Sequence, residues 1–225
     1  MSNKITRPQA VLFDLDGTLV DTAPDFYDVV NTLRADEGKT PLPHERIREQ
    51  VSNGGVALAC ITFEVEREHP EIQTFRQRVL DRYETEIGRQ AELFTGFSEV
   101  LDALEQLNIP WGIVTNKPAK YTQLLLDRMT LNAACVVCPE DVNESKPAPD
   151  GLLLAAKQLN VDPNECWYVG DHRRDIEAAH NARMLSIAAT FGYIEPTDDP
   201  IHWNAHQVIH HASELIPLLN TTLSR

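Results

Sequence analysis

Cysteine is scarce in this chain, and the few present do not build a framework. Four occur in 225 residues, Cys60, Cys135, Cys138 and Cys166, too few and too widely spread for a disulfide-stapled fold. Cys135 and Cys138 form a CxxC, but it lies inside the apolar run "AACVVC" with no second CxxC to complete a zinc site, so the pair reads as two buried strand thiols. Positive charge is short as well: 20 Lys and Arg stand against 34 Asp and Glu, a formal net charge of −14. That balance lacks the electrostatic footprint of a nucleic-acid or membrane-surface partner. No apolar run reaches the ~18 residues of a membrane span, and the run after Lys4 and Arg7 stops at Asp14, far short of a signal peptide's hydrophobic region. The expectation is a soluble cytoplasmic protein without internal repeats or low-complexity segments.

What is present is core-forming. Hydrophobic residues make up 42% of the chain, enough for one domain or a core domain with a smaller insertion. Short apolar runs occur at "AVLF" (10–13), "WGIV" (111–114), "CVVC" (135–138), "WYV" (167–169), "SIAA" (186–189) and "QVI" (207–209). Amphipathic segments lie between them: one capped by Ser98 and carrying Val100, Leu101, Leu104 and Leu107, and others at 119–129, 150–159 and 173–183. Strands apolar on both faces, alternating with helices, predict a parallel sheet covered on both sides, a doubly wound α/β core. The interval from Thr22 to about Gly88 breaks this rhythm. It reads as helical throughout, a small second domain inserted after the first strand.

Polar residues end the strands. Asp14 and Asp16 follow the first, Thr115 and Asn116 follow "WGIV", Lys146 lies in the loop "ESKPAPD", and Asp171 and Asp175 lie in "GDHRRD". Each alone is an ordinary turn residue, helix cap or surface charge. Ligands of an open α/β sheet bind outside the carboxyl ends of its strands, however, so together these residues converge on one place. Clustered carboxylates repel one another and any anionic substrate, which calls for a divalent cation; oxygen ligands with water suit Mg²⁺. A metal between Asp14 and Asp171 can hold one phosphate oxygen, while the Thr115 hydroxyl, the Gly17 turn amides and the Lys146 ammonium hold others. The site fits phosphoryl transfer, with attack by a carboxylate on phosphorus as one option.

The motifs "DLDGT", "VTNK", "SKPAP" and "GDxxxD", in that order and with a helical insert after the first, resemble the haloacid dehalogenase superfamily of phosphatases, in its subclass with a helical cap at that place. The resemblance spans essentially the whole chain. It implies a core of 1–21 and 89–225 and a cap of 22–88. It also implies that Asp14 is the nucleophile, that Asp16 protonates the leaving alkoxide and then activates water, and that Thr115 and Lys146 hold the phosphoryl group, with Asn116 beside them as a substrate contact. Mg²⁺ would be held by Asp14, the backbone carbonyl of Asp16, and Asp171, with Asp175 a ligand or close supporter. The implied partner is a small phosphorylated metabolite. Dehalogenases share the fold, but a halide leaving group needs no proton and so no second acid like Asp16. A phosphomutase and a binding module that has lost catalysis remain as alternatives.

Four further features have open readings. His172, Arg173 and Arg174 either narrow the site or are solvated. His202, His206 and His210 recur every four residues, but "QVI" separates the last two, which argues against one metal-binding face. In the insert, "SNGG" at Ser52, Asn53, Gly54 and Gly55 breaks a helical pattern, and its backbone is expected either to approach a ligand or only to turn the chain. Tyr193, His202 and Trp203, after the fifth core strand, either shape a substrate pocket or cover the core.

Overall fold

A computed structural model describes residues 6–220. The chain divides into two compact units, one of Met1–Leu19, Leu93–Ala119 and Asn132–Arg225, the other of Val20–Glu92 and Lys120–Leu131. Strands lie at β1 (Ala10–Phe13), β2 (Val20–Asp21), β3 (Glu92–Leu93), β4 (Trp111–Val114), β5 (Cys135–Val137), β6 (Cys166–Gly170), β7 (Leu185–Ala189) and β8 (Gln207–Ile209). Helices are α1 (Ala23–Asp36), α2 (His44–Val51), α3 (Gly54–Phe63), α4 (Ile72–Glu86), α5 (Phe97–Gln106), α6 (Ala119–Met129), α7 (Asp150–Leu159), α8 (Arg173–Asn181) and α9 (Leu215–Leu219). Among the described residues no helix is long and apolar enough to cross a membrane.

The first unit holds a six-stranded sheet in the order β5-β4-β1-β6-β7-β8, parallel at each pairing. β1 is central, and the strands that follow it build outward first on one side, through β4 and β5, and then on the other, through β6, β7 and β8. The order reverses beside β1, so a crevice opens at its carboxyl end. Because side chains alternate across a strand, Ala10 and Leu12 pack with Leu152, Ala155 and Ala156 of α7 and Ala178 and Ala179 of α8. Phe13 faces the other way, edge-on to Phe97 of α5 at 5.4 Å between ring centroids. All four β1 residues are buried, so the strand that delivers Asp14 is fixed from both faces. The strand expected over 135–138 ends one residue early, at Val137, because Cys138 caps a 3-10 turn that begins at Pro139.

Ser98 does not cap α5. The helix starts at Phe97 from Gly96, whose φ of 95° lies in the left-handed region, and Ser98 is its second residue. A Cβ at Gly96 would stand 3.0 Å from the Ser213 backbone nitrogen, so both conformation and space require glycine, and the chain enters the helix without a side-chain cap.

The second unit carries α1 to α4 and α6 from Lys120. Pro24 in the first turn of α1 suits a helix start. Phe26, Val29, Val30 and Leu33 then bury one face at i, i+3, i+4 and i+7. Phe26 stacks on Tyr83 of α4 at 4.1 Å, and Tyr83 meets Tyr121 of α6 at 5.9 Å. Arg34, 2% exposed, donates to the carbonyls of Thr40, Ile61 and Thr62 and to Glu64. One guanidinium thus satisfies two carbonyls at the end of α3 and one in the loop between α1 and α2.

Candidate active site

Asp14 leaves β1 still in the ladder, its N–H donating to the Val169 carbonyl at 2.9 Å. Its Oδ1 accepts from the Leu15 N–H at 2.7 Å, which sets the carboxylate at the mouth of the strand. Gly17 follows at φ 86°, and the space where its Cβ would stand is filled by Asp171 and Tyr193; only glycine lets the first loop lie against the loop after β6.

Lys146 ties the cluster together. Its Nζ is 2.8 Å from Asp14 Oδ1 and 2.8 Å from Asp175 Oδ1, and it donates to the Tyr168 hydroxyl at 2.7 Å. These three partners account for all three ammonium donors. Tyr168 in turn donates to the Val114 carbonyl at 2.9 Å. Burial opposes the Lys146 ammonium, but Asp14 and Asp175 outweigh it and raise its pKa. Burial likewise works against the Asp175 anion, yet Lys146 and Arg174 hold its pKa below the ordinary value. For Asp14 burial prevails over Lys146 and lifts the pKa to about 6. Asn116 secures the loop: its Nδ2 donates to the Lys146 carbonyl at 3.0 Å and its Oδ1 accepts from the Lys146 N–H at 3.2 Å. Expected beside the substrate, Asn116 has both ends of its carboxamide engaged by the Lys146 backbone.

Asp171 accepts from Thr18 Oγ1 at 2.7 Å and from the Tyr193 N–H at 2.8 Å. Burial, then Asp14 and Asp175, raise its pKa to about 7. One oxygen each from Asp14, Asp171 and Asp175 lies within 4.8 Å of the other two, and all three residues are buried. Three buried carboxylates against Lys146 and the nearby Arg174 still leave a deficit of positive charge, and the ligand atoms are all hard oxygens. The donor set fits a divalent cation such as Mg²⁺.

Asp16 points to a different cation, with Oδ1 2.9 Å from Lys117 Nζ. Thr115 is buried, its N–H bonded to the Val137 carbonyl and its Oγ1 accepting from the Lys117 N–H at 3.1 Å. His172 caps α8, its Nδ1 accepting from the Arg174 N–H at 3.2 Å, while its own N–H donates to Asp175 Oδ2 at 3.0 Å. Arg173 pairs with Asp198 at 2.9 Å, and Asp198 also accepts from the Trp203 indole. Tyr193 is 2% and Trp203 5% exposed, with Trp203 packed beside Ile176 and Ala188, while His202 is exposed. His202 lies in a 3-10 turn (Pro200–Trp203), His206 between that turn and β8, and His210 after β8, so the three share no α-helix. All four cysteines are free thiols, and burial pushes Cys135 up to about 11 and Cys166 up to about 12.

Ser52, Asn53 and Gly54 belong to the helical unit. They form the turn between α2 and α3, with the Asn53 N–H on the Gln50 carbonyl at 3.1 Å. Gly54 has φ +78° and open space where a Cβ would stand, so conformation rather than crowding demands glycine there.

Five members of the cluster have no site role assigned from the sequence: Tyr168, Gly192 and the Tyr193 backbone, and also Thr18 and Lys117, although these two close the motifs "DLDGT" and "VTNK". Tyr168 hides within "WYV", a run apolar enough to read as core alone. Gly192 is needed because a Cβ would strike Asp171 and the Gly17 carbonyl.

A family model described as haloacid dehalogenase-like hydrolase matches residues 11–189. The chain is 40% identical over 222 residues to an N-acetylmuramic acid 6-phosphate phosphatase of Pseudomonas aeruginosa, covering 98% of each protein. It is 40% identical over 210 residues to a phosphoglycolate phosphatase of Xanthomonas campestris, covering 92% of this chain and 95% of that one. The fold resembles that of a HAD-superfamily hydrolase of subfamily IA from Geobacter sulfurreducens, with TM-score 0.74 and 21% identity over 97% of this chain and all of the other.

Proposed function

Because this chain belongs to the haloacid dehalogenase-like hydrolase family, we propose that the cluster at the end of β1 hydrolyses a phosphomonoester through a phosphorylated Asp14, and that its substrate is N-acetylmuramate 6-phosphate. Phosphatase activity follows from the family and from phosphatase relatives that span nearly the whole chain. The observation that carries the substrate is the match to the Pseudomonas protein at 40% identity over 98% of both chains. The stretches "LFTGFSEVL", "CPEDVNESKPAPD" and "FGYIEPTDDPIHWNAHQVI" resemble that group more than the phosphoglycolate group. Such a substrate would place the enzyme in peptidoglycan recycling, in the cytoplasm. Phosphoglycolate is the second reading, favoured by the equal identity to the Xanthomonas protein over a shorter span.

In the first half-reaction an Asp14 oxygen forms a bond to phosphorus as the ester P–O bond breaks, its electron pair staying on the leaving oxygen. The Asp16 carboxyl gives its proton to that oxygen. In the second half, Asp16 takes a proton from water, the water oxygen bonds to phosphorus, and the Asp14 O–P bond breaks to release phosphate. Thr115 orients one phosphoryl oxygen, and Lys146, held by Tyr168, Asp175 and Asn116, would take another by giving up its bond to Asp14. Asp14, the Asp16 carbonyl and Asp171, supported by Asp175, would hold Mg²⁺, which supplies positive charge to the phosphoryl oxygens. We read 22–88 as a cap that excludes water and selects the leaving group, with Ser52, Asn53 and Gly54 as its contacts.

Competition among substrates tests the assignment. At equal Mg²⁺, kcat/KM for N-acetylmuramate 6-phosphate should exceed that for 2-phosphoglycolate and glucosamine 6-phosphate. A preference for phosphoglycolate of tenfold or more, worth ~1.4 kcal/mol in the transition state, would replace the substrate and leave the phosphatase standing.

A further inference from the structure

We propose that Lys117 is a positioning residue for Asp16, holding one carboxyl oxygen so that the other meets the leaving oxygen of the ester; this rests on the two-step reading above. The "VTNK" loop divides its labour residue by residue. Thr115 is buried at the β4 end, Asn116 clamps the Lys146 backbone, and Lys117 crosses to the neighbouring loop after β1, where its Nζ lies 2.9 Å from Asp16 Oδ1. Neither side chain is a solvated surface charge: Lys117 is 8% and Asp16 16% exposed. The base of the lysine is held too, by its own N–H on Thr115 Oγ1 at 3.1 Å.

That geometry suits an acid more than a generic loop brace. An ammonium donates to a carboxyl oxygen in either protonation state, so Oδ1 stays engaged while the proton travels on Oδ2. A general acid must lie within hydrogen-bond reach of the atom it protonates, and the bond from Lys117 narrows the side-chain rotations open to the Asp16 carboxyl. Removing Lys117 should release those rotations without touching Asp14, Lys146 or Asp171. The loss should therefore depend on how much the leaving group needs a proton.

The test uses kcat/KM, which ends at the first irreversible step, expulsion of the leaving group. Lys117→Met, Lys117→Arg and Asp16→Asn would be assayed on an alkyl phosphate, whose alkoxide must be protonated, and on 2,4-dinitrophenyl phosphate, whose phenolate need not be. Lys117→Met should lose about 10²-fold on the alkyl phosphate and under about threefold on the aryl one, with Lys117→Arg recovering most of the alkyl loss. Equal losses on both substrates would make Lys117 a substrate contact or a structural brace and overturn the proposal, as would no loss on either. Asp16→Asn separates the levels. If its own loss is equal on both substrates, the acid role of Asp16 falls and this proposal with it; if it is leaving-group dependent while that of Lys117→Met is not, only the proposal falls.

Discussion

Mg²⁺ should bind this protein far more weakly at pH 5 than at pH 8, because the carboxylates that would hold it are buried acids with raised proton affinity. Asp14 stands at about 6 and Asp171 at about 7, against an ordinary 3.8. At pH 5 roughly one Asp14 in ten and one Asp171 in a hundred is ionised, so a cation that needs both anions loses about 10³ in affinity, ~4 kcal/mol. At pH 8 both are largely ionised and the loss disappears. The same shifts set the stability of the metal-free protein. Both folded values lie above the unfolded one, so their contribution is fully present below about pH 4 and is lost as pH rises through about 6 and 7. Mg²⁺ at 100 times its Kd should restore about 2.7 kcal/mol at pH 8 and little at pH 5 at the same concentration. Urea unfolding with EDTA or Mg²⁺ at the two pH values, with calorimetric Kd measurements beside it, reads both quantities. Asp171→Asn should abolish binding at both. An affinity for Mg²⁺ that is equal at pH 5 and pH 8 would refute the reasoning.

Lys146→Met removes the ammonium from two buried carboxylates at 2.8 Å and should cost about 3–5 kcal/mol in EDTA at pH 8, measured by urea unfolding, with loss of turnover even in Mg²⁺. Gly192→Ala puts a Cβ onto Asp171 and the Gly17 carbonyl; displacing that carboxylate by an ångström should lower kcat/KM about 10²-fold, whereas Gly38→Ala, with nothing near its Cβ but φ +68°, should cost stability without changing kcat/KM. Asn53→Ala should reduce kcat/KM on the natural substrate well beyond its effect on p-nitrophenyl phosphate, and equal losses would make the α2–α3 turn structural only.

The sheet was legible because its strands are short apolar runs, with a polar residue just beyond β1, β4 and β6, and because the helices between them keep a 3.6-residue period. That made the placement of Asp14, Thr115, Lys146, Asp171 and Asp175 readable before any coordinates, since strand ends in such a sheet converge. What stayed hidden depended on packing direction or on backbone. Tyr168 reads as core because it is core at its ring, and only the register beside Leu12 brings its hydroxyl to Lys146. Ser98 carries the signature of a cap, yet the conformation of Gly96 and its crowding against Ser213 decide where α5 begins. The Tyr193 N–H serves Asp171 through the backbone, which no side-chain pattern encodes.

The central claim, that Asp14 carries the phosphoryl group, is tested most directly by trapping. Asp16→Asn protein with Mg²⁺ and 2,4-dinitrophenyl phosphate, a substrate whose leaving group needs no proton, should form the phosphoenzyme and hydrolyse it slowly. Acid quench followed by peptide mass spectrometry should then find one phosphoryl group on the peptide containing Asp14, and none when Asp14→Ala is added. A phosphoryl group on any other residue, or turnover by Asp14→Ala at the native rate, would contradict the account.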